Sequence, residues 1–104
     1  MEIKKMLVLT RREREIITIG DDLKVTIISV RRKEAEIGFF SKNNVRYVVR
    51  KKGDEILLGE DIKIVIFSIE VGKVKIGVSA PKEIPVHRKE VYDRINKKLN
   101  LEEN

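Results

Sequence analysis

The sequence predicts a mainly β protein arranged as a fused pseudo-dimer, with one α-helix at the C-terminal end. Three observations support this fold class. The β-prone segments are short and bounded by turn residues, the first part of the chain recurs in the second, and one amphipathic segment comes last. At 104 residues, with 41% hydrophobic and 38% charged side chains, the chain is expected to form a single compact domain over residues 1–104.

The internal repeat has a constant offset of 39 residues and needs no gap. The identical pairs are Arg11–Arg50, Ile17–Ile56, Gly20–Gly59, Asp22–Asp61, Lys24–Lys63, Ile27–Ile66, Ser29–Ser68, Ile37–Ile76 and Gly38–Gly77. Two copies are too few for a solenoid, but they suit two similar units that bury a common interface. Copy one is taken as residues 6–40 and copy two as residues 45–99.

Each copy is predicted to contain four short strands. In copy one these are Leu7–Arg11, Ile16–Ile19, an alternating strand through Leu23, Val25 and Ile27, and Glu34–Phe40. In copy two they are Tyr47–Lys51, Glu55–Leu58, Ile62–Ile69 and Lys73–Val78. Gly20–Asp22, Arg31–Lys33 and Gly72 are predicted to form turns between them.

The two copies differ after their fourth strands. Copy two continues with a fifth strand in the region of Ala80–Val86, where Pro85 predicts a sheet edge or a strand start. A helix is then predicted from about Arg88 to Leu99, with Val91, Ile95 and Leu99 on one face. Copy one has only residues 39–44 before the next repeat begins, so it is predicted to lack the fifth strand and the helix. The alternative is that residues 45–50 replace that strand, because they loosely resemble residues 84–88.

Composition and charge narrow the classes of function. The chain has no cysteine, which excludes disulfides and thiolate metal sites, and its net charge of +6 favours an anionic partner. There is no nucleophile–base pair, metal-ligand cluster or nucleotide fingerprint, so neither an enzyme nor a cofactor is predicted. No long apolar run or signal peptide is apparent, and a cytoplasmic protein is expected.

One continuous block carries a specific resemblance. Residues 76–95 read Ile-Gly-Val-Ser-Ala-Pro-Lys-Glu-Ile-Pro-Val-His-Arg-Lys-Glu-Val-Tyr-Asp-Arg-Ile. This block resembles the C-terminal half of the carbon storage regulator (CsrA/RsmA) family of bacterial RNA-binding translational regulators. Residues 6–12 resemble the N-terminal strand of that family, and the chain as a whole looks like a tandem fused variant. Arg14 departs from the usual glycine and Ser79 from the usual asparagine.

The resemblance implies an architecture and a function. Family members are homodimers of interleaved antiparallel sheets, in which strands one and five of one protomer pair with strands two to four of the other. RNA binds between strand one of one protomer and strand five of the other. The RNA carries a GGA core, usually in a hairpin loop of an mRNA leader or small RNA, and binding blocks or alters translation.

Carried onto this chain, the resemblance implies one complete RNA site and one remnant. Strand one of copy one supplies Leu9, Thr10, Arg11 and Arg12, and strand five of copy two supplies Val86, His87 and Arg88. The remnant contains Arg50 and Lys51, which face an absent strand five. His87 is the only histidine and no ligand cluster accompanies it, so a metal role is not predicted.

Two alternatives stay open at this point. The Arg31–Lys33 turn is either a solvated charged turn or a secondary phosphate contact. The chain as a whole is either an RNA-binding regulator or a degenerate family member that binds a regulatory protein partner, as family members that bind a flagellar assembly factor do. For the assembly, a monomeric pseudo-dimer is favoured over a homodimer, because one chain already contains two sets of central strands.

Overall fold

The computed structural model describes residues 4–88, with the backbone alone for Arg88. Strands alternate with tight turns along this part of the chain. The strands are β1 (Lys4–Arg12), β2 (Ile16–Ile19), β3 (Leu23–Arg31), β4 (Glu34–Phe40), β5 (Val45–Lys51), β6 (Glu55–Leu58), β7 (Ile62–Glu70), β8 (Lys73–Pro81) and β9 (Val86–Arg88). The mainly β prediction is confirmed. The predicted helix begins at the last described residue and otherwise lies outside the described part of the chain.

The strands form two antiparallel sheets that exchange strands between the copies. One sheet has the order β1-β8-β7-β6, and the other has the order β5-β4-β3-β2-β9. The four-stranded sheet has three strands of copy two with β1 of copy one at one edge, and the five-stranded sheet has three strands of copy one with β5 and β9 of copy two at its two edges. The interleaved arrangement predicted from the resemblance is therefore confirmed, with one chain supplying both halves.

The repeat in sequence is also a repeat in backbone geometry. The β3–β4 ladder has a bulge between Ile27 and Ser29, and the β7–β8 ladder has one between Ile66 and Ser68. The turn after each first strand is equivalent too, since Arg14 donates its N–H to Ile27 O at 2.6 Å and Gly53 donates to Ile66 O at 2.7 Å.

Arg14 departs from the family glycine without changing this turn. Its φ of 73° is in the left-handed region, as is the φ of 89° at Gly53. This conformation is easy for glycine and strained for a residue with a Cβ atom, so the turn in copy one retains the backbone shape at some cost in stability.

The inward side chains of both sheets form one hydrophobic core. Branched residues at equivalent positions of the two copies are buried, among them the pairs Ile17 and Ile56, Ile27 and Ile66, and Ile37 and Ile76. Alternation along the strands explains this burial, because every second residue of a strand faces the same side of its sheet. The outward positions carry most of the charge.

The structure decides between the two alternatives for residues 45–50. They belong to β5, which pairs with β4 from Glu34↔Lys51 to Phe40↔Val45. This is the position of strand one of copy two, equivalent to β1 on β8. Only residues 41–44 join β4 to β5, so copy one has no fifth strand.

The fifth strand of copy two begins later than predicted. Ala80 and Pro81 still pair with β1 and end β8, and β9 starts at Val86, directly after Pro85. Pro85 therefore marks a strand start, as its missing N–H predicts. β9 pairs with β2 and forms the edge of the five-stranded sheet.

The interleaving leads to a prediction about assembly. Since each sheet already contains strands of both copies, a second chain is not needed to complete the shared core. We expect light scattering of the full chain to give a mass near 12.1 kDa. A mass near twice that value, independent of concentration, would instead indicate an intertwined dimer.

Candidate nucleic-acid interface

The two strands that the resemblance assigns to RNA binding are edges of different sheets. β1 is the outer strand of the four-stranded sheet and β9 is the outer strand of the five-stranded sheet. Within residues 4–88, no further strand pairs with the outer side of either. Their outward backbone N–H and C=O groups are therefore not used by a sheet ladder, which is the usual condition of an edge strand.

A short turn links the C-terminal end of β1 to β2, the strand that pairs with β9. Glu15 donates its N–H to Arg12 O at 3.1 Å, and Glu15 Oε1 accepts the Arg12 N–H at 2.7 Å. Ile17, which follows shortly after this turn, pairs with Arg88 in the β2–β9 ladder. The turn thus brings the Arg12 end of β1 and the Arg88 end of β9 to the same end of the molecule.

The four predicted residues of β1 divide between the two faces of the strand. Thr10 and Arg12 are exposed, whereas Leu9 is part of the core and Arg11 is only 5% exposed. The Arg11 Nε donates to Thr10 O at 2.8 Å and lies 4.0 Å from Glu15 Oε1. Thr10 and Arg12 are therefore presented to solvent, while the Arg11 side chain is packed and contributes to local structure.

The three predicted residues of β9 are held by β2. Val86 is half-buried and packs against the core, opposite Ile19. His87 is half-buried, and its carbonyl accepts a hydrogen bond from the Thr18 hydroxyl at 3.3 Å. Arg88 pairs with Ile17 through its backbone.

The remnant site has one of its two strands. Arg50 Nη1 donates to Val49 O at 2.8 Å, in the same way that Arg11 donates to Thr10 O. The Lys51 N–H donates to Asp54 Oδ2 at 2.8 Å, as the Arg12 N–H does to Glu15. The strand that would face Arg50 and Lys51 is the missing strand five of copy one, which would lie on β6.

Pairing of β5 with β4 creates a basic cluster that sequence reasoning did not assemble. Arg31, Arg32, Lys33 and Lys51 are all exposed and line one groove together with Glu34. The sequence marks Arg31–Lys33 as a charged turn, but Lys51 joins them only through the register Glu34↔Lys51. Four cations around one carboxylate favour phosphate, which makes this groove a candidate for secondary backbone contacts.

The equivalent hairpin of copy two carries no such charge. Lys73 Nζ lies 3.3 Å from Glu70 Oε2, and the intervening Val71 is fully exposed. The basic cluster is therefore a property of copy one and breaks the two-fold similarity of the surface.

Two further features of the described region concern metal ions and membranes. Among residues 4–88, no group of three or more His, Cys, Asp or Glu side chains is arranged to hold a metal ion. In the same range, no helix has the length and apolar character needed to cross a membrane.

Comparison with protein families gives two matches in tandem. The family model described as CsrA, the global regulator protein family, matches residues 6–46 and again residues 47–97. The second match begins inside β5, which agrees with β5 as strand one of copy two. No solved structure matches the chain.

Proposed function

We propose, from the premise that the chain belongs to the CsrA family of global regulator proteins, that it binds GGA-containing hairpin loops and so regulates translation. Family membership makes it an RNA-binding regulator; the sequence of the RNA, the site and the outcome are the proposal. The mRNA leader or small RNA would be bound in the cytoplasm, where translation is initiated.

The observation that carries the proposal is the single complete pair of edges, β1 and β9. An edge strand offers backbone donors and acceptors at fixed spacing, and these can contact the edges of unpaired bases. Loop bases are the part of an RNA hairpin that proteins read by sequence, because the deep groove of the A-form stem is closed to side chains. An RNA loop seated here would contact the exposed Thr10 and Arg12 of β1.

Charge supports the same partner. The net charge of +6 favours an RNA partner. The basic cluster around the Arg31–Lys33 hairpin includes Lys51 of β5, the opposite edge of the five-stranded sheet from β9, so it would contact RNA away from the β1 and β9 edges. Contacts from Arg12 to phosphate hold the RNA in register, while backbone contacts and Arg88 read the bases and give the sequence preference. When the bound GGA overlaps a ribosome-binding site, the complex excludes the ribosome and lowers translation.

The stoichiometry of binding tests this proposal. We expect a short RNA hairpin with GGA in its loop to saturate at one RNA per chain, because only one site has both strands within residues 4–88. Isothermal titration calorimetry measures the ratio directly. A hairpin of the same length with the GGA replaced by CCU is the matched control and should bind at least tenfold more weakly.

The dependence on salt separates RNA binding from the protein-interaction alternative, and the control hairpin tests the specificity of that binding. Release of counterions makes the logarithm of the RNA affinity fall linearly with the logarithm of the salt concentration. Equal weak binding of both hairpins would contradict the proposed specificity. Saturation at two equal RNA molecules per chain would show that the remnant site works without a fifth strand.

A further inference from the structure

The two copies differ most at the outer edges of β2 and β6, which are equivalent positions of the repeat. β9 covers β2, and beyond the ladder Gly20 donates its N–H to Pro85 O at 2.8 Å. β6 pairs with β7 as β2 pairs with β3, yet no strand within residues 4–88 covers its outer edge. One edge is therefore filled by the chain itself and the equivalent edge is open.

The groove beside the open edge is empty where its counterpart is filled. A Cβ atom built on Gly20 would lie 3.8 Å from Cγ2 of Ile84, whereas one built on Gly59 would meet nothing within 4 Å. A groove of about 590 Å³ lies at this place. Its apolar lining comes from both sheets: Leu23, Phe39, Val45, Leu57 and Leu58. Leu57, at 67% exposure, projects from β6 without cover.

The charge around β6 indicates what chemistry the edge accepts. Residues 54–61 read Asp-Glu-Ile-Leu-Leu-Gly-Glu-Asp, with four carboxylates and no cation. Two cations lie close by: Lys63 Nζ on β7 is 3.5 Å from Glu55 Oε1, and Arg46 lines the groove. The equivalent residues 15–22 of copy one carry three carboxylates, and the strand that covers them contains His87 and Arg88. The filled edge thus pairs an acidic strand with a basic one, and the open edge has the same acidic character.

This charge argues against two other occupants. RNA phosphates would be repelled by the carboxylates of residues 54–61, of which Glu55 is partly neutralised by Lys63. A second copy of this chain, paired antiparallel through its own β6, would bring the acidic ends of both strands together, which is unfavourable for like charges. A basic, apolar segment of a different protein meets neither penalty.

We propose that the outer edge of β6 binds an extended segment of another protein, which adds to the sheet as an antiparallel strand. The repeat supplies the pattern of that segment. In the proposed segment, a branched apolar residue fills the groove beside Gly59, as Ile84 fills the space beside Gly20. A second apolar residue lies opposite Leu58, as Val86 lies opposite Ile19. A cation lies opposite Ile56, as Arg88 lies opposite Ile17. This activity goes beyond RNA binding and uses a different edge from β1 and β9.

The backbone geometry fixes which amides take part. Gly20 directs its N–H towards β9, and in an antiparallel ladder alternate residues face the same neighbour, so Thr18 does so as well. The equivalent residues of copy two are Leu57, in β6, and Gly59, in the turn that follows it. Binding by strand addition obtains affinity from these main-chain bonds and specificity from the alternate side chains.

The chain provides its own probe for the test. A fluorescent peptide with the sequence of residues 82–89, Lys-Glu-Ile-Pro-Val-His-Arg-Lys, is titrated into the full-length protein and followed by anisotropy. Methylation of the peptide backbone nitrogen at the His position should weaken binding by about tenfold, because that N–H faces the sheet edge. Methylation at the Arg position, where the N–H faces away, is the matched control and should have little effect.

Two charge reversals at equivalent positions test the protein side. Glu60→Lys places a cation beside the open edge and should weaken peptide binding several-fold, whereas Asp21→Lys makes the same change beside the filled edge and should not. Amide chemical shifts should move at Leu57 and Gly59. Movement at Thr18 and Gly20 instead would mean that the peptide replaces β9, and would overturn the proposal.

Two further results would also overturn it. If the protein has twice the mass of one chain in solution, and Leu57→Lys reduces it to the mass of one chain, the edge binds a second copy of this chain. Displacement of the peptide by the GGA hairpin, with Glu60→Lys raising RNA stoichiometry, would assign it to RNA. The two proposals can fail separately. If the GGA and control hairpins bind equally but the peptide still binds at β6, the proposed RNA specificity is wrong and the inference about β6 holds.

Discussion

Replacing Ile76 by alanine is expected to lower the free energy of unfolding by about 2–5 kcal/mol, which is the range for truncation of buried isoleucine or leucine. Ile76 is 1% exposed and lies in β8, between β1 of copy one and β7 of copy two. The methyl groups removed face the core that both sheets share. Chemical denaturation followed by far-ultraviolet circular dichroism gives the value.

The repeat provides a partner for this experiment. Ile37 is fully buried in β4, with β5 of copy two on one side and β3 on the other, so Ile37→Ala is expected to cost a similar amount. Because each sheet contains strands of both copies, damage in either copy weakens both, and one cooperative transition is expected in each variant. Val71→Ala, at a fully exposed hairpin position, is the control and should change stability by less than about 0.5 kcal/mol.

Separate unfolding of the two copies would contradict this picture. Two resolved transitions in Ile76→Ala, with only one of them shifted, would mean that the copies are independent domains. A single transition shifted in both isoleucine variants would mean that interleaving joins them into one folding unit.

The strand pattern and the constant offset between the copies made most of the fold predictable. Period-two alternation locates the strands because it reports which side chains face the core, and the offset implies two equivalent sets of strands. The pairing of β1 with β8 and of β9 with β2 joins residues far apart in the chain. Local pattern holds no information on such pairing, and it was available only through the family resemblance.

Within the candidate site, the alternation of side chains along β1 predicts which residues are buried, whereas the family motif does not. Leu9 and Arg11 are two residues apart, so a strand places them on the same face, and both are buried. Thr10 and Arg12 share the opposite face and are exposed. A motif names all four residues as equals, whereas the strand period already separates the core pair from the solvent pair.

Features that depend on cross-strand register were beyond the sequence. The basic cluster needs Lys51 beside the Arg31–Lys33 hairpin, and the bulge that precedes Ser29 shifts the register by one residue. A shift of one residue moves every following side chain to the other face of the sheet. Charge composition predicts a basic surface, but only the register says which cations share a groove.

Arg88→Ala is expected to weaken binding of the GGA hairpin by about 1–3 kcal/mol, the range for an arginine that reads a base. Arg88 ends β9, where the ladder with β2 fixes its backbone opposite Ile17, so the change leaves the sheet edge in place. Arg50→Ala should cost much less, because no strand of the described part of the chain lies on the outer side of β6 to complete its site. The measurement is a direct titration at fixed salt, since affinities for RNA depend strongly on ionic strength.

Variants at Arg11 and Arg12 are expected to fall between these two. Arg12 is exposed at the end of β1 and contributes charge, so its loss should reduce the slope of affinity against salt by about one unit. Arg11 is buried, so Arg11→Ala should also lower stability, and thermal unfolding must accompany its titration. Equal losses at Arg50 and Arg88 would mean that both sites bind RNA. An unchanged affinity in Arg88→Ala, with unchanged circular dichroism, would remove β9 from the RNA site and leave β1 without its partner strand.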